Sequence, residues 1–164
     1  ASNDTHTVKA FDEDIDQLRA VIAEMGGLAE AAIRDAISAL TQRDSAKATR
    51  VVREDKAIDD LELEVERQVV KLIALRAPRP LFVTSGRAEK GDSWVDPRGM
   101  WLATKAAQPV WQIFGATTPT GDMPPPEDAS QAAYPLAWYQ HGEGHVPWPA
   151  YEQFYAHEAK FAGK

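Results

Sequence analysis

Three sets of residues in this 164-residue chain have types and spacings suited to chemistry. Asp55 and Asp59 stand four apart, which on a helix puts both carboxylates on one face. There they repel unless a cation or a basic side chain lies between them. Hard oxygen ligands of this kind suit magnesium, manganese, calcium or iron. The plainer alternative is a solvated acidic face relieved by Arg53, Lys56 or Arg67. The second set is Asp92 or Asp96 with the distant His145, because a carboxylate can hold an imidazole in the tautomer that takes a proton from a nucleophile. The third is His141-Gly142-Glu143-Gly144-His145, whose glycines oppose the helix that a His-Glu-x-x-His zinc site requires.

The nucleophile that would complete an acyl-transfer site is missing. No Gly-x-Ser-x-Gly elbow occurs, Ser85 lacks its flanking pattern, and the absence of cysteine removes any thiol nucleophile, thiolate metal site or disulfide. An acid and a base without nucleophile or oxyanion donors imply no specialised ester hydrolysis by the isolated chain.

Two unlike sets of elements must position these residues. From about Val8 to Gln42, Phe11, Ile15, Leu18, Ile22, Met25, Ala29, Ile33, Ile37 and Leu40 recur at steps of three and four, the stripe of an amphipathic helix. Gly26-Gly27 interrupts that stripe, a place where a bend or a close helix approach can occur, but the periodicity continues past it. Asp44 or Ser45 can cap a second helix whose stripe runs from Ala48 through Ile58, Leu61, Val65, Val69 and Leu72 to Leu75. The short connection predicts a long antiparallel hairpin with an apolar seam left for a third helix or another chain. Pro78 and Pro80 then stop the helix, since proline lacks the amide hydrogen and pushes its predecessor out of helical geometry.

Beyond this join the composition reverses. All five tryptophans and all four tyrosines lie after Pro80, whereas no proline precedes Pro78. Such a change favours a boundary between structural units. Leu81-Phe82-Val83-Thr84 predicts a strand, the region from Gly99 to Ala107 a helix, Leu136-Ala137-Trp138-Tyr139 a second strand, and Trp148 or Pro149 to Phe161 a closing helix. A crossover makes the strands parallel, so the loops carrying Asp92, Asp96 and His145 leave from one carboxyl edge. The expected class is α+β overall: units at 1–77 and 81–164 joined through 78–80, the first a helical hairpin and the second a partial β-α-β-α segment. The tryptophans are expected in the core, with Trp94 the best exception for a carbohydrate-facing ring. His6 and His157 are expected to be exposed or packing residues.

The net charge of -7 argues against nucleic-acid binding, which draws its affinity from clustered Lys and Arg. No run approaches the roughly 18 apolar residues of a membrane span, and residues 1–7 have neither a basic nor an apolar leader pattern. The expectation is a soluble chain without a membrane span, its compartment left open.

Thr7-Val8-Lys9-Ala10-Phe11-Asp12-Glu13-Asp14-Ile15, Met25-Gly26-Gly27-Leu28-Ala29-Glu30 and the acidic run from Arg53 to Glu62 resemble the opening helices of PhoU phosphate-signalling proteins, over residues 7–76. The resemblance implies part of a three-helix bundle, a regulatory role between a phosphate importer and its sensor kinase, a metal at Asp55 and Asp59, and a cytoplasmic address. Phe82-Val83-Thr84-Ser85-Gly86, the run from Asp92 to Met100, Met123-Pro124-Pro125 and Gly142-Glu143-Gly144-His145 resemble glucuronoyl esterases among the α/β-hydrolases, over residues 81–163. That resemblance implies His145 as the triad histidine, Asp92 as the acid after the penultimate strand, and a carbohydrate ester substrate. Three functional readings follow. One is a PhoU-like regulatory or interaction module that docks on a protein partner or self-associates through its hairpin. Another is an esterase fragment needing a missing nucleophile-bearing segment. The last is a chimeric or wrongly joined sequence without integrated function.

Overall fold

The computed structural model describes residues 3–161, with side chains from Lys9 onward except Ala10. The side chains of Thr7, Val8 and His6 therefore lie outside the described residues. The chain is mostly helical with one small parallel sheet, and its contacts divide it into two compact units between Val69 and Val70.

In the first unit, α1 (Asn3–Gln42) runs unbroken through Gly26 and Gly27, and a methyl group at either glycine would meet nothing. The stripe's period continues past the pair as one helix, and nothing among the described residues approaches either glycine closely. Neighbouring helical residues supply enough hydrogen bonds to carry the helix across it. α1 ends where Arg43 adopts a left-handed φ of 54°. The Arg43 amide donates to Leu40 O (3.3 Å) and the Asp44 amide to Ala39 O (2.9 Å), which satisfies two carbonyls of the last turn. Asp44 also caps α2 (Ser45–Glu54), its carboxylate accepting from the Lys47 amide at 2.9 Å. α2 packs against α1, and Lys47 Nζ reaches Asp35 at 2.8 Å. That contact holds the Asp35 carboxyl below its usual range, first through the hydrogen bond and then through the lysine charge.

The second predicted helix divides into α2 and α3 (Lys56–Ala74) at Asp55. Asp55 keeps helical angles (φ −54°, ψ −32°), and the Ile58 amide turns back three residues to Asp55 O at 2.9 Å, so the division is a local tightening. α3 unwinds through single turns at Leu75, Arg76 and Ala77 before the prolines.

The second unit begins within α3, ahead of the proline-marked join. Val70, Ile73, Ala74 and Ala77 pack against a core of Ala107, Trp111 and Leu136. β1 (Leu81–Ser85) and β2 (Leu136–Gln140) pair in parallel, Leu81 opposite Leu136 and Ser85 opposite Gln140. α4 (Pro97–Ile113) connects them, starting earlier than expected because Pro97 suits the first helical turn. It continues through Pro109 and buries Trp101, Thr104, Ala107, Gln108 and Trp111 along one stripe. α5 (Tyr151–Phe161) follows a tight turn at Trp148–Ala150. Trp101, Trp111 and Trp138 are core residues, whereas Trp94 and Trp148 are exposed. His157 is a packing residue. It is buried against Phe82 with Nε2 facing Tyr134 O and Pro135 O, and burial lowers its pKa.

Candidate acid–base pair at the sheet edge

β1 delivers Ser85 and Gly86 to the carboxyl edge of the sheet, and the chain then makes two tight turns around Asp92. The Gly86 amide donates to Asp92 Oδ2 at 2.5 Å, which anchors a carboxylate only 2% exposed. Asp92 Oδ1 lies 2.8 Å from His145 Nδ1, on the loop after β2. The loops close this tightly because glycines face them: a Cβ on Gly86 would collide with the carbonyls of Glu143 and Gly144, and one on Gly144 with Lys90 O. The Arg87 amide donates to Glu143 O at 2.8 Å, and Gln140 Nε2 to Gly86 O at 2.8 Å.

With its proton on Nδ1, His145 donates to Asp92 and turns Nε2 outward as a proton acceptor. Its side chain is 60% exposed, and the Trp94 ring covers one side at a centroid distance of 4.6 Å. Asp96, the other carboxylate of this loop, takes no part. It sits at φ 44° between a tight turn and the start of α4, with its carboxylate against Gly99.

A pocket of about 350 Å³ adjoins the pair, lined among others by Ser85, Gly86, Val95, Met100, His141 and Val146. Ser85 is weighed as a nucleophile from the sequence, whereas His141 is not singled out there for acid–base chemistry. Ser85 is buried and its Oγ has no hydrogen-bond partner, so the nucleophile-to-base bond of a complete triad is not formed. His141 is also buried, with Nδ1 unpartnered. Desolvation lowers its pKa, against the opposing pull of Asp92, Glu143 and Glu127. The available signal was its place directly after the strand, at the edge where ligands collect.

Asp55 and Asp59 lie elsewhere, in the first unit. Both are exposed and one helical turn apart, with the Asp59 amide donating to Asp55 O at 3.3 Å. The bases expected to relieve them face other carboxylates: Lys56 pairs with Asp60 at 2.9 Å, Arg67 with Glu64 at 3.0 Å, and Arg53 with Glu54 at 3.8 Å. Among the described residues no three His, Asp or Glu side chains converge as a metal site. Two carboxylates are an incomplete donor set for a hard cation, which takes six or more oxygens, so the fit is partial.

Residues 22–85 match the PhoU domain. The matched span runs from α1 to the end of β1. The phosphate-specific transport system accessory protein PhoU homolog of Zymomonas mobilis is 51% identical over 78 residues, covering 48% of this chain and 33% of that protein. Its Caulobacter vibrioides counterpart is 44% identical over 73 residues, covering 44% and 32%. The chain thus spans about a third of the length of the curated relatives it matches. Among solved structures, a CE15 glucuronoyl esterase from Teredinibacter turnerae is similar at a TM-score of 0.50 and 39% identity, over 56% of this chain and 21% of that one. The resemblance read from the residues, PhoU and glucuronoyl esterase in one chain, is found again by these comparisons.

Proposed function

We propose that this chain acts as a PhoU-like regulatory module, its helices docking on a protein partner of phosphate signalling in the cytoplasm. The PhoU match at residues 22–85 is the observation that carries the reading. The exposed apolar residues Ile33, Ile37, Leu40 and Val52 support it, because a partner covering them gains roughly 1.5 to 3 kcal/mol for each fully buried side chain. The hairpin of the sequence reading is the proposed docking form. A groove of about 560 Å³ beside the α1–α2 turn, lined by Ala36, Leu40, Ala48 and Val52, is its proposed centre. The test is expression in a bacterium whose own PhoU is deleted. Repression of a phosphate-starvation reporter in high phosphate supports the reading, and full derepression contradicts it.

The 2.8 Å contact between His145 and Asp92 favours a second reading, a hydrolase-like part acting on a carbohydrate ester. Here the pair would hold and move a proton at His145 Nε2, with the exposed Trp94 ring as a platform for a sugar. The nucleophile would come from a separate segment. Hydrolysis of a glucuronate ester by the chain mixed with a segment that carries the nucleophile, lost in His145→Ala, supports this reading. No turnover in that mixture, or turnover indifferent to that substitution, ends it.

A further inference from the structure

We propose that Gln140 is the positioning residue of the Asp92–His145 pair, acting through Gly86. The inference rests on the acid–base reading of that pair and says what holds it in place. By alternation, Leu136, Trp138 and Gln140 share one face of β2. Leu136 clusters there with Ala107 and Trp111 of α4, and the Trp138 ring lies 5.9 Å from that of Trp101. An apolar residue at 140 would continue this stripe. Gln140 instead puts a carboxamide there at 8% exposure, which costs free energy unless it is hydrogen-bonded. Its Nε2 donates to Gly86 O at 2.8 Å, a bond between a strand end and a loop 54 residues apart.

Gly86 is where that grip matters. Glycine is the least restrained backbone residue, and no larger one fits, because a Cβ would collide with the carbonyls of Glu143 and Gly144. The peptide before Gly86 is held at both ends: Ser85 O accepts from the His141 amide at 3.0 Å, and the Gly86 amide donates to Asp92 Oδ2 at 2.5 Å. The peptide after it is held by Gln140 Nε2 on its oxygen and by Glu143 O on the Arg87 amide, each at 2.8 Å. The bonds from His141 and Glu143 are backbone to backbone. The bond from Gln140 is a side chain's, and a substitution removes it alone.

The strand end that carries Gln140 is anchored in turn, since its carbonyl accepts from the Glu127 amide at 2.6 Å. Fixing the Gly86 amide fixes Asp92 Oδ2, which leaves Oδ1 aimed at His145 Nδ1, 2.8 Å away. If the chain turns at Gly86, the carboxylate loses that orientation, and the imidazole loses the acceptor that keeps its proton on Nδ1. Nε2 then carries the proton and cannot accept one.

Nitrogen-15 NMR of the full chain with labelled histidine tests this at alkaline pH, where imidazole is neutral and the nitrogen shifts show which atom holds the proton. It needs no ester turnover, so a chain without esterase activity leaves the positioning role standing. The wild-type His145 is expected to hold its proton on Nδ1. Gln140→Met, similar in length and apolar like the rest of its stripe, should shift the tautomer ratio toward Nε2 by about two- to tenfold, the equivalent of one net hydrogen bond. Leu136→Ala, on the same face at the other end of β2, loses more buried contact and should leave the ratio unchanged. A general loosening of the unit would shift both variants alike.

A ratio unchanged in Gln140→Met, or shifted equally in Leu136→Ala, overturns the positioning role. A wild-type ring with its proton on Nε2 overturns the pair and the proposal with it. The wild type also supplies an arm that no misfolded variant can spoil: the Gln140 Nε2 protons should exchange at least about tenfold more slowly than those of the exposed Gln17. Equal exchange rates overturn the proposal.

Discussion

Gly86→Ala adds one methyl group at the point where the two loops of the candidate site meet. The new Cβ would lie against the backbone carbonyls of Glu143 and Gly144, which cannot yield as a flexible side chain can. The loop carrying His145 must therefore move away from β1. That movement threatens the Gly86 amide bond to Asp92 (2.5 Å), the Arg87 amide bond to Glu143 (2.8 Å) and the Asp92–His145 contact (2.8 Å). Overpacking of this kind costs about 1 to 3 kcal/mol, and each lost hydrogen bond about 0.5 to 1.5 kcal/mol. With partial relaxation, a destabilisation of about 2 to 4 kcal/mol is expected. All five tryptophans lie between residues 94 and 148, so their fluorescence during urea unfolding reports the second unit alone. At a slope of roughly 1 to 3 kcal/mol per molar urea, the midpoint should fall by about 1 to 2 M. Gly91→Ala is the control, because Gly91 has a φ of 104° but open space around it, and should show conformational strain of about 1 kcal/mol without a clash. A Gly86→Ala midpoint within error of wild type, or one shifted no further than that of Gly91→Ala, refutes the reasoning.

Gly26→Ala and Gly27→Ala should each raise stability by about 0.4 to 1 kcal/mol, because both positions are helical and open; calorimetry showing a loss would reveal packing not seen here. His141 and His157 have pKa values lowered by burial, so the unfolded chain binds their protons first as pH falls. Stability from these two is therefore complete above the unfolded value of about 6.5 and declines below it, and tryptophan-monitored urea midpoints should be lower at pH 5.5 than at pH 7.5. The reverse order would mean that the carboxylates around His141 outweigh its desolvation. Manganese titration should show weak binding, with a dissociation constant on the order of 10⁻⁴ to 10⁻³ M as for sparse oxygen sites. The double change Asp55→Asn plus Asp59→Asn should abolish it, and equal binding by that variant would remove the site.

Local chemistry was legible in the sequence wherever one residue type dictates the backbone. Pro78 and Pro80 ended the helical region, Asp44 capped α2, and the apolar run at Leu81 became β1. Period alone could not say what covers a stripe: Ile33, Ile37 and Leu40 recur correctly along α1 yet remain exposed, at 62%, 58% and 80%. The period that continues past Gly26 and Gly27 was legible as one helix, because glycine lowers helix propensity without forbidding a helix and forty residues of propagation outweigh two weak positions. At the candidate site the parallel strands showed which loops meet, but not which of Asp92 and Asp96 would face His145. That choice rests on the Gly86 amide six residues before Asp92 and on the backbone approach of Gly144 to Lys90, residues far apart in the chain.

The regulatory role stands or falls on docking by the first unit. Isothermal titration of the full chain into the phosphate importer or its sensor kinase measures that docking directly. Saturable binding to one of them is expected, weakened at least about tenfold by Ile33→Asp plus Leu40→Asp, which places two charges on the apolar stripe. No heat with either protein, or binding indifferent to the double change, contradicts a PhoU-like docking role for these helices.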